Sequence, residues 1–162
     1  MQLKNFLFAC IVFALYSCSG SFSKGVKKDL STGLTSSYNG FAVADIYLAV
    51  DGNKLSTNKI SLGKELMLIA DGVDYYEVKD GKVNPGCTII LTDKAGKELL
   101  NLPDAFAEQG TLDKTNAASL KATITTGSPM QVGETYHLRV RFFDKNKKES
   151  EIVSDVDVVM KE

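Results

Sequence analysis

The sequence of 162 residues has no tryptophan, one histidine, three cysteines and three prolines. A single histidine is too few for most zinc sites, and the acidic loop residues lack the D-x-D-x-D-G spacing of a calcium-binding loop. Asp-Gly pairs are mainly a feature of tight turns. We therefore predict no metal site and no cofactor, and calcium bound by loop carboxylates is the open alternative.

Neither sign of charge is in excess, because 19 Lys and Arg residues face 20 Asp and Glu residues. Nucleic-acid binding needs clustered basic residues, so we predict no nucleic-acid partner. The motifs G-x-S-x-G and H-E-x-x-H and the phosphate-binding loop are missing. His137 has no nucleophile or carboxylate beside it in the sequence. We predict no catalytic residue and no enzyme activity, although a glycosidase-like carboxylate pair has no fixed spacing and stays an alternative.

The most extended apolar run lies near the N-terminus. It covers residues 6–16 and follows Lys4, which is the order found in a secretory signal. A membrane-spanning helix needs about 20 apolar residues, so this run is too short to span a bilayer. We predict a cleaved signal peptide over residues 1–17.

The apolar run ends in Leu15-Tyr16-Ser17-Cys18. This stretch resembles the lipobox of bacterial lipoproteins, which has an apolar residue three places before a cysteine and a small residue directly before it. The resemblance implies cleavage after Ser17, diacylglycerol on the Cys18 sulfur and an acyl chain on its amino group. Two or more acyl chains anchor a protein stably. Ser19 stands where the inner-membrane retention signal has Asp, so the resemblance implies the outer membrane, in either leaflet.

Residues 18–40 are rich in serine, glycine and lysine and poor in apolar side chains. Such a composition buries too little surface to offset the entropy lost on ordering. We predict a lipid-anchored flexible linker over residues 18–40 and a folded domain over residues 41–162. Lys24, Lys27 and Lys28 could bind anionic headgroups, but a solvated linker is the favoured interpretation.

From residue 41 onward the hydrophobic pattern has a period of two, with turn signals such as Asp51-Gly52 between the alternating stretches. Only residues 103–109 carry helix signals, with Pro103 at the start and Gly110 after the end. The pattern predicts an all-β fold, a single antiparallel β-sandwich of about eight strands with one short helix. Cys87 is the one cysteine in this domain, so we expect a small buried hydrophobe and no internal disulfide.

Residues 132–141 read Val-Gly-Glu-Thr-Tyr-His-Leu-Arg-Val-Arg. They resemble the start of strand F in fibronectin type III and related immunoglobulin-like domains, where a Gly turn precedes a conserved Tyr. The resemblance implies that the Tyr136 hydroxyl bonds to upstream backbone and closes a corner. Because the core tryptophan of fibronectin type III domains is missing, the resemblance extends to the broader immunoglobulin-like β-sandwich.

One candidate binding patch surrounds two adjacent tyrosines. Neighbouring residues of a strand point to opposite faces, so only one of Tyr75 and Tyr76 can be in the core. The other ring can be exposed beside Asp71 and Asp74, which is a surface that sugars and proteins both use. A tyrosine that covers the sandwich edge is the simpler interpretation.

A second candidate lies on the outer face of the strand around residue 140. His137, Arg139 and Arg141 alternate with apolar residues and form a short basic row that an anion could bind. An exposed sheet face with no ligand is the simpler interpretation.

Taken together, these features favour a non-catalytic, lipid-anchored envelope lipoprotein. Its partners would be the membrane, through covalent lipid, and another envelope protein or a polysaccharide. The alternative is a small carbohydrate-binding module that works beside surface glycan machinery. Aromatic rings are the usual platforms for sugars, so the absence of tryptophan favours the first hypothesis over the second.

Overall fold

The computed structural model describes residues 23–162, which form two β-sheets packed face to face. Residues 1–22, with the signal and Cys18, lie outside the described part of the chain. Eleven strands are present in residues 23–162, and no α-helix is. The strands are β1 Lys24–Asp29, β2 Leu34–Asn39, β3 Asp45–Val50, β4 Asn53–Lys54, β5 Lys59–Ser61, β6 Glu65–Asp71, β7 Pro85–Asp93, β8 Glu98–Leu102, β9 Ser119–Thr125, β10 Thr135–Asp144 and β11 Lys147–Lys161.

The larger sheet contains seven strands, in the order β1-β2-β11-β10-β7-β8, with β5 paired in parallel to the end of β11. The smaller sheet contains four strands, in the order β4-β3-β6-β9. All the other strand pairs are antiparallel. Within residues 23–162, no helix has the length and apolar character needed to cross a bilayer.

The core lies between the two sheets, where the period-two pattern places alternate side chains. In β10, Leu138, Val140 and Phe142 are buried and the residues between them are at least partly exposed. In β6, Leu66 and Leu68 face the same interior. The sandwich expected from the alternation is therefore present, with more strands than expected.

The prediction of a flexible linker over residues 18–40 is wrong for residues 24–39, which form the hairpin of β1 and β2. The hairpin joins the larger sheet because β2 pairs with β11, and the Ser36 hydroxyl bonds to that of Ser154 at 2.8 Å. Tyr38 lies over Gly25, where a side chain would collide with its ring. A hairpin that docks by backbone hydrogen bonds needs few apolar residues, and composition alone does not reveal it.

The expected short helix over residues 103–109 is also corrected. Only Ala107–Gln109 adopts a helical turn, and this turn is of the 3₁₀ type. A second 3₁₀ turn follows at Asn116–Ala118. Asp104 Oδ1 accepts the Cys87 and Phe106 backbone N–H groups at 3.1 and 3.0 Å, so the segment is fastened to the start of β7.

The corner at Tyr136 is present as the sequence resemblance implied. The Tyr136 ring is buried, and its hydroxyl oxygen accepts the Gln131 backbone N–H at 2.8 Å. The bond joins the loop before β10 to the second residue of that strand. Because the acceptor lies five residues after the donor, the bond fixes how the chain enters the sheet.

Candidate functional site

The two sheets differ in width, and this difference creates a concave surface. The β1–β2 hairpin extends the larger sheet along the edge of the smaller sheet that β3 and β4 form. A groove of about 800 Å³ lies between the hairpin and this edge, and we call it the hairpin groove. Its lining residues are Lys27, Lys28, Asp29, Ser31, Leu34, Ser36, Asp45, Ile46, Lys54, Leu55 and Ser56.

The floor of the hairpin groove is apolar. Leu34 and Ile46 are buried, and they come from β2 of the larger sheet and β3 of the smaller one. Leu55, which follows β4, is partly exposed and packs against the same core. The core of the sandwich thus ends in a strip of aliphatic carbon that forms the base of the groove.

At one wall of the groove, Lys27 reaches from the larger sheet to the smaller one, and Lys54 reaches along the smaller sheet. Lys27 Nζ donates to the Ala44 carbonyl at 2.9 Å, which joins β1 to the segment before β3. Lys54 Nζ donates to Asp45 Oδ2 at 2.7 Å. The hydrogen bond from Lys54 lowers the pKa of Asp45, so this carboxyl is ionised at neutral pH.

The other wall ends in the turn between β1 and β2. Asp29 Oδ1 accepts the Ser31 backbone N–H at 2.9 Å and the Ser31 hydroxyl at 2.6 Å, and Oδ2 accepts the Thr32 hydroxyl at 2.9 Å. The hydrogen bond from the Ser31 hydroxyl is the main cause that lowers the pKa of Asp29. Gly33 closes the turn with φ of 75°, a left-handed value that favours glycine. The groove therefore contains two ionised carboxylates.

The structure separates the two tyrosines of the first candidate patch. Tyr76 is buried, its ring meets that of Phe41 edge-on at 4.8 Å, and its hydroxyl donates to the Ala117 carbonyl at 2.9 Å. Burial raises the pKa of Tyr76. Tyr75 is 45% exposed and has a left-handed φ of 68°, which is uncommon for a residue other than glycine.

The two acids of the same patch have different partners. Asp74 Oδ1 accepts the Tyr75 N–H at 2.6 Å and pairs with Lys114 at 2.8 Å, and the bond from Lys114 lowers its pKa. Asp71 instead accepts the Ser119 hydroxyl at 2.6 Å and the Tyr47 hydroxyl at 2.8 Å. Tyr75 and Asp74 thus stay together, whereas Asp71 belongs to a hydrogen-bond network of the smaller sheet.

The basic row of β10 is present on the outer face, but carboxylates of the neighbouring β11 compensate its charge. His137 Nδ1 lies 2.9 Å from Asp157, and its Nε2 lies 3.1 Å from Asp155. Arg139 Nε also donates to Asp155, at 2.7 Å. Because these acids already occupy the donors, the row is a cross-strand ion-pair network rather than an open anion site.

The third member of the row has its own acid. Arg141 Nε donates to Glu151 at 2.6 Å, and its guanidinium lies 4.7 Å from the centre of the Phe143 ring.

Cys87 is the cysteine of the described residues. It is buried, and burial raises the pKa of its thiol to about 12. In the part of the chain that the structure describes, no three His, Cys, Asp or Glu side chains come together as metal ligands.

Sequence reasoning missed the hairpin groove. Its lining residues come from two stretches, 27–36 and 45–56, and the first of these was assigned to the linker. The alternation of Leu34, Ser36 and Tyr38 with Thr35 and Ser37 is the signal that could have indicated a strand there.

No protein-family model matches the sequence, and no curated protein matches it either. Among solved structures, the C-terminal domain of Wzt is similar in fold. The likeness has a TM-score of 0.49 and a sequence identity of 10%, over 88% of this chain and 80% of that one. A likeness at this level identifies neither a ligand nor a site.

Proposed function

We propose that the protein is a non-catalytic, lipid-anchored binding module of the outer membrane whose hairpin groove holds an extended polysaccharide. The observation that carries this proposal is the composition of the groove. Hydrogen-bond donors and ionised acceptors stand side by side along an aliphatic floor. The lipid on Cys18 and the outer-membrane location come from the lipobox resemblance and are part of the proposal.

Sugar rings offer two kinds of surface, and the groove has a counterpart for each. Their hydroxyl groups both donate and accept. They suit the ammonium group of Lys28, which enters no ion pair among the described residues, and the donors that Lys54 keeps after its bond to Asp45. Their C–H faces suit the exposed part of the Leu55 side chain. Charge-assisted hydrogen bonds are about twice as strong as neutral ones, which offsets the lack of tryptophan in the groove.

A folded protein partner fits the groove less well. The centre of a protein interface is depleted of charged residues and enriched in aromatic ones. The hairpin groove has the opposite composition, with five charged residues and no aromatic side chain in its lining. A polysaccharide is therefore the ligand class that the groove favours.

The same carboxylates support a binding role without catalysis. A glycosidase needs one carboxylic acid with a raised pKa, which donates a proton to the leaving oxygen. In the groove, the pKa of Asp29 and the pKa of Asp45 are both lowered, so neither acid holds a proton at neutral pH. This pair can accept hydrogen bonds from a ligand but cannot supply general acid catalysis.

The proposal is tested by measuring binding to purified cell-envelope polysaccharides of the source bacterium with isothermal titration calorimetry. We expect one class of polysaccharide to bind the natural protein, and Lys54→Ala or Lys28→Ala to weaken binding at least tenfold. The matched control is Lys147→Ala, a lysine on the β10–β11 hairpin that takes no part in the groove. These lysines lie at the surface, so the variants should lose less than about 1 kcal/mol of stability.

Two results would contradict the proposal. One is the absence of binding to every polysaccharide, combined with capture of a protein partner that Lys54→Ala abolishes. The other is equal binding by the groove variants and by the Lys147→Ala control. The anchor is tested separately, since Cys18→Ser should abolish incorporation of radiolabelled palmitate.

A further inference from the structure

We infer that the end of the sandwich that carries the loop 72–84 faces the bilayer, and that Tyr75 and Val78 of this loop enter the headgroup region. We call this end the anchor end. The inference rests on the proposed lipid at Cys18 and adds an orientation and a lipid-contacting surface to it.

The length of chain between the lipid and the first strand limits the position of the domain. Only residues 19–23 separate Cys18 from Lys24, the first residue of β1. An extended chain covers at most about 3.6 Å per residue, so this connection spans about 20 Å at most. The start of β1 must therefore remain close to the membrane surface.

The loop 72–84 lies at the same end as the start of β1. The Ser23 carbonyl accepts the Gly40 N–H at 2.7 Å. Two residues later, Ala42 and Asp74 exchange backbone hydrogen bonds of 3.1 and 3.0 Å. Tyr75 follows Asp74 directly, so the loop stands beside the place where the chain arrives from its anchor.

The turn between β10 and β11 completes the anchor end. The buried Asp144 accepts the Glu77 N–H at 2.7 Å, and Asn146 Nδ2 donates to the Glu77 carbonyl at 3.2 Å. These bonds fix the middle of the loop to a rigid hairpin. The exposed side chains of the loop are therefore held in place by the fold.

The loop presents apolar surface of the kind found at membrane interfaces. Tyr75 is 45% exposed and Val78 is 51% exposed. Tyrosine favours the headgroup level because its ring is apolar and its hydroxyl is polar. The Tyr75 N–H donates to Asp74 Oδ1, and this bond supports the left-handed conformation of Tyr75. The fold thus holds the ring in its outward position.

Charges at the anchor end agree with a surface of anionic lipid. The loop acids Asp74 and Glu77 pair with Lys114 and Lys79, at 2.8 and 3.6 Å. Of the acids described at this end, the exposed ones that enter no ion pair are Asp80 and Glu149. Among the described residues, the lysines at this end that enter no ion pair are Lys24, Lys147 and Lys148. Basic side chains next to a lipid anchor strengthen attachment to such a surface.

The opposite end provides the matched control. Leu30, in the turn that ends β1, is 93% exposed, which makes it more accessible than either residue of the loop. β1 runs away from the anchor, and its six residues extend about 20 Å. If exposure alone decided membrane contact, Leu30 would insert first. If the anchor decides it, Leu30 stays in water.

The experiment places an environment-sensitive fluorophore at each position of the lipidated full-length protein. Val78→Cys and Leu30→Cys are labelled with a nitrobenzoxadiazole iodoacetamide and reconstituted into vesicles of three parts phosphatidylethanolamine to one part phosphatidylglycerol. Cys18 carries lipid, and Cys87 is buried with a raised pKa, so neither competes for the label. The natural protein, treated identically, measures any background.

We expect the label at Val78 to gain intensity at least twofold on reconstitution, to shift to the blue and to be quenched by headgroup spin-labelled lipid. The label at Leu30 should show none of these changes. Lys79→Cys serves as a second reporter, and Tyr75→Ser should reduce the quenching at Val78. Circular dichroism confirms the fold of each variant.

The outcomes separate this inference from the anchor itself. A lipidated, vesicle-bound protein whose Val78 and Lys79 labels remain in water, or whose Leu30 label inserts, overturns the orientation alone. The second outcome is a protein that carries no lipid on Cys18 by mass spectrometry and does not float with vesicles. This outcome overturns both the anchor and the orientation.

Discussion

Asp144 should be one of the most sensitive acidic positions for stability. Its side chain is buried at the end of β10, where Oδ2 accepts the Glu77 N–H at 2.7 Å and Oδ1 accepts the Asn146 N–H at 2.9 Å. Asp144→Ala removes both acceptors and leaves the Glu77 N–H without its partner. Hydrogen bonds to charged groups contribute about 1.5–3 kcal/mol each. Water can replace the acceptor at Asn146, so we expect a loss of about 3 kcal/mol.

The expected loss is large enough to measure by thermal unfolding. For a domain of this size, 1 kcal/mol corresponds to a shift of about 2–4 °C in Tm. Asp144→Ala should therefore lower Tm by about 10 °C, and Asp144→Asn, which keeps one acceptor oxygen, should lower it less. Circular dichroism melting curves and urea titrations give the free energy of unfolding.

Asp113→Ala is the matched control for this measurement. Its carboxylate is exposed and pairs with Lys82 at 2.7 Å on the surface. Such pairs contribute about 0–1 kcal/mol, so Tm should change by less than about 3 °C. The reasoning about Asp144 is refuted if the two variants unfold at the same temperature.

Two further predictions concern the corner and the surface acids. Tyr136→Phe removes the acceptor of the Gln131 N–H and should cost about 1 kcal/mol in the free energy of unfolding, measured by urea titration, and an unchanged midpoint would contradict the role of the corner. Side-chain hydrogen bonds lower the pKa of Asp29, Asp45 and Asp74 in the folded protein. Their contribution to stability is complete above about pH 4 and is lost as the pH falls through the lowered values, so Tm should fall between about pH 4 and pH 2. A constant Tm over this range would show that the folded and unfolded chains bind protons alike.

The sequence revealed those parts of the fold that depend on local order. Alternation identified β10, and the resemblance of residues 132–141 to immunoglobulin-like domains implied the corner that the bond from Gln131 closes. The adjacent tyrosines gave one buried and one exposed ring, although their segment is a loop and not a strand. In each case the information lies within a few residues of the chain.

The partners of His137 show why the rest could not be predicted. Asp144 pairs with Lys147 at the turn, but Phe143 pairs with Glu151, so the register shifts at this point. Counting back from the turn without that irregularity would place His137 opposite Ser154, whereas it lies opposite Asp157. A bulge changes which side chains meet along the whole hairpin, and no local sequence pattern predicts it here.

The hairpin groove was unpredictable for a related reason. It requires Lys27 of β1 to lie near Ala44 and requires Lys54 to lie across from the hairpin. These neighbours are set by the order of strands in two sheets rather than by local spacing. A low apolar content also hid the hairpin, since the strands dock through their backbone.

Unequal sheet widths place the proposed ligand groove at the rim of the sandwich, apart from the packed interior. Positions such as Lys28 and Ser56 border water, so exchanging them leaves no cavity of the kind that makes core substitutions costly. Variation at this rim can accordingly change which molecule is held while the packed interior stays the same.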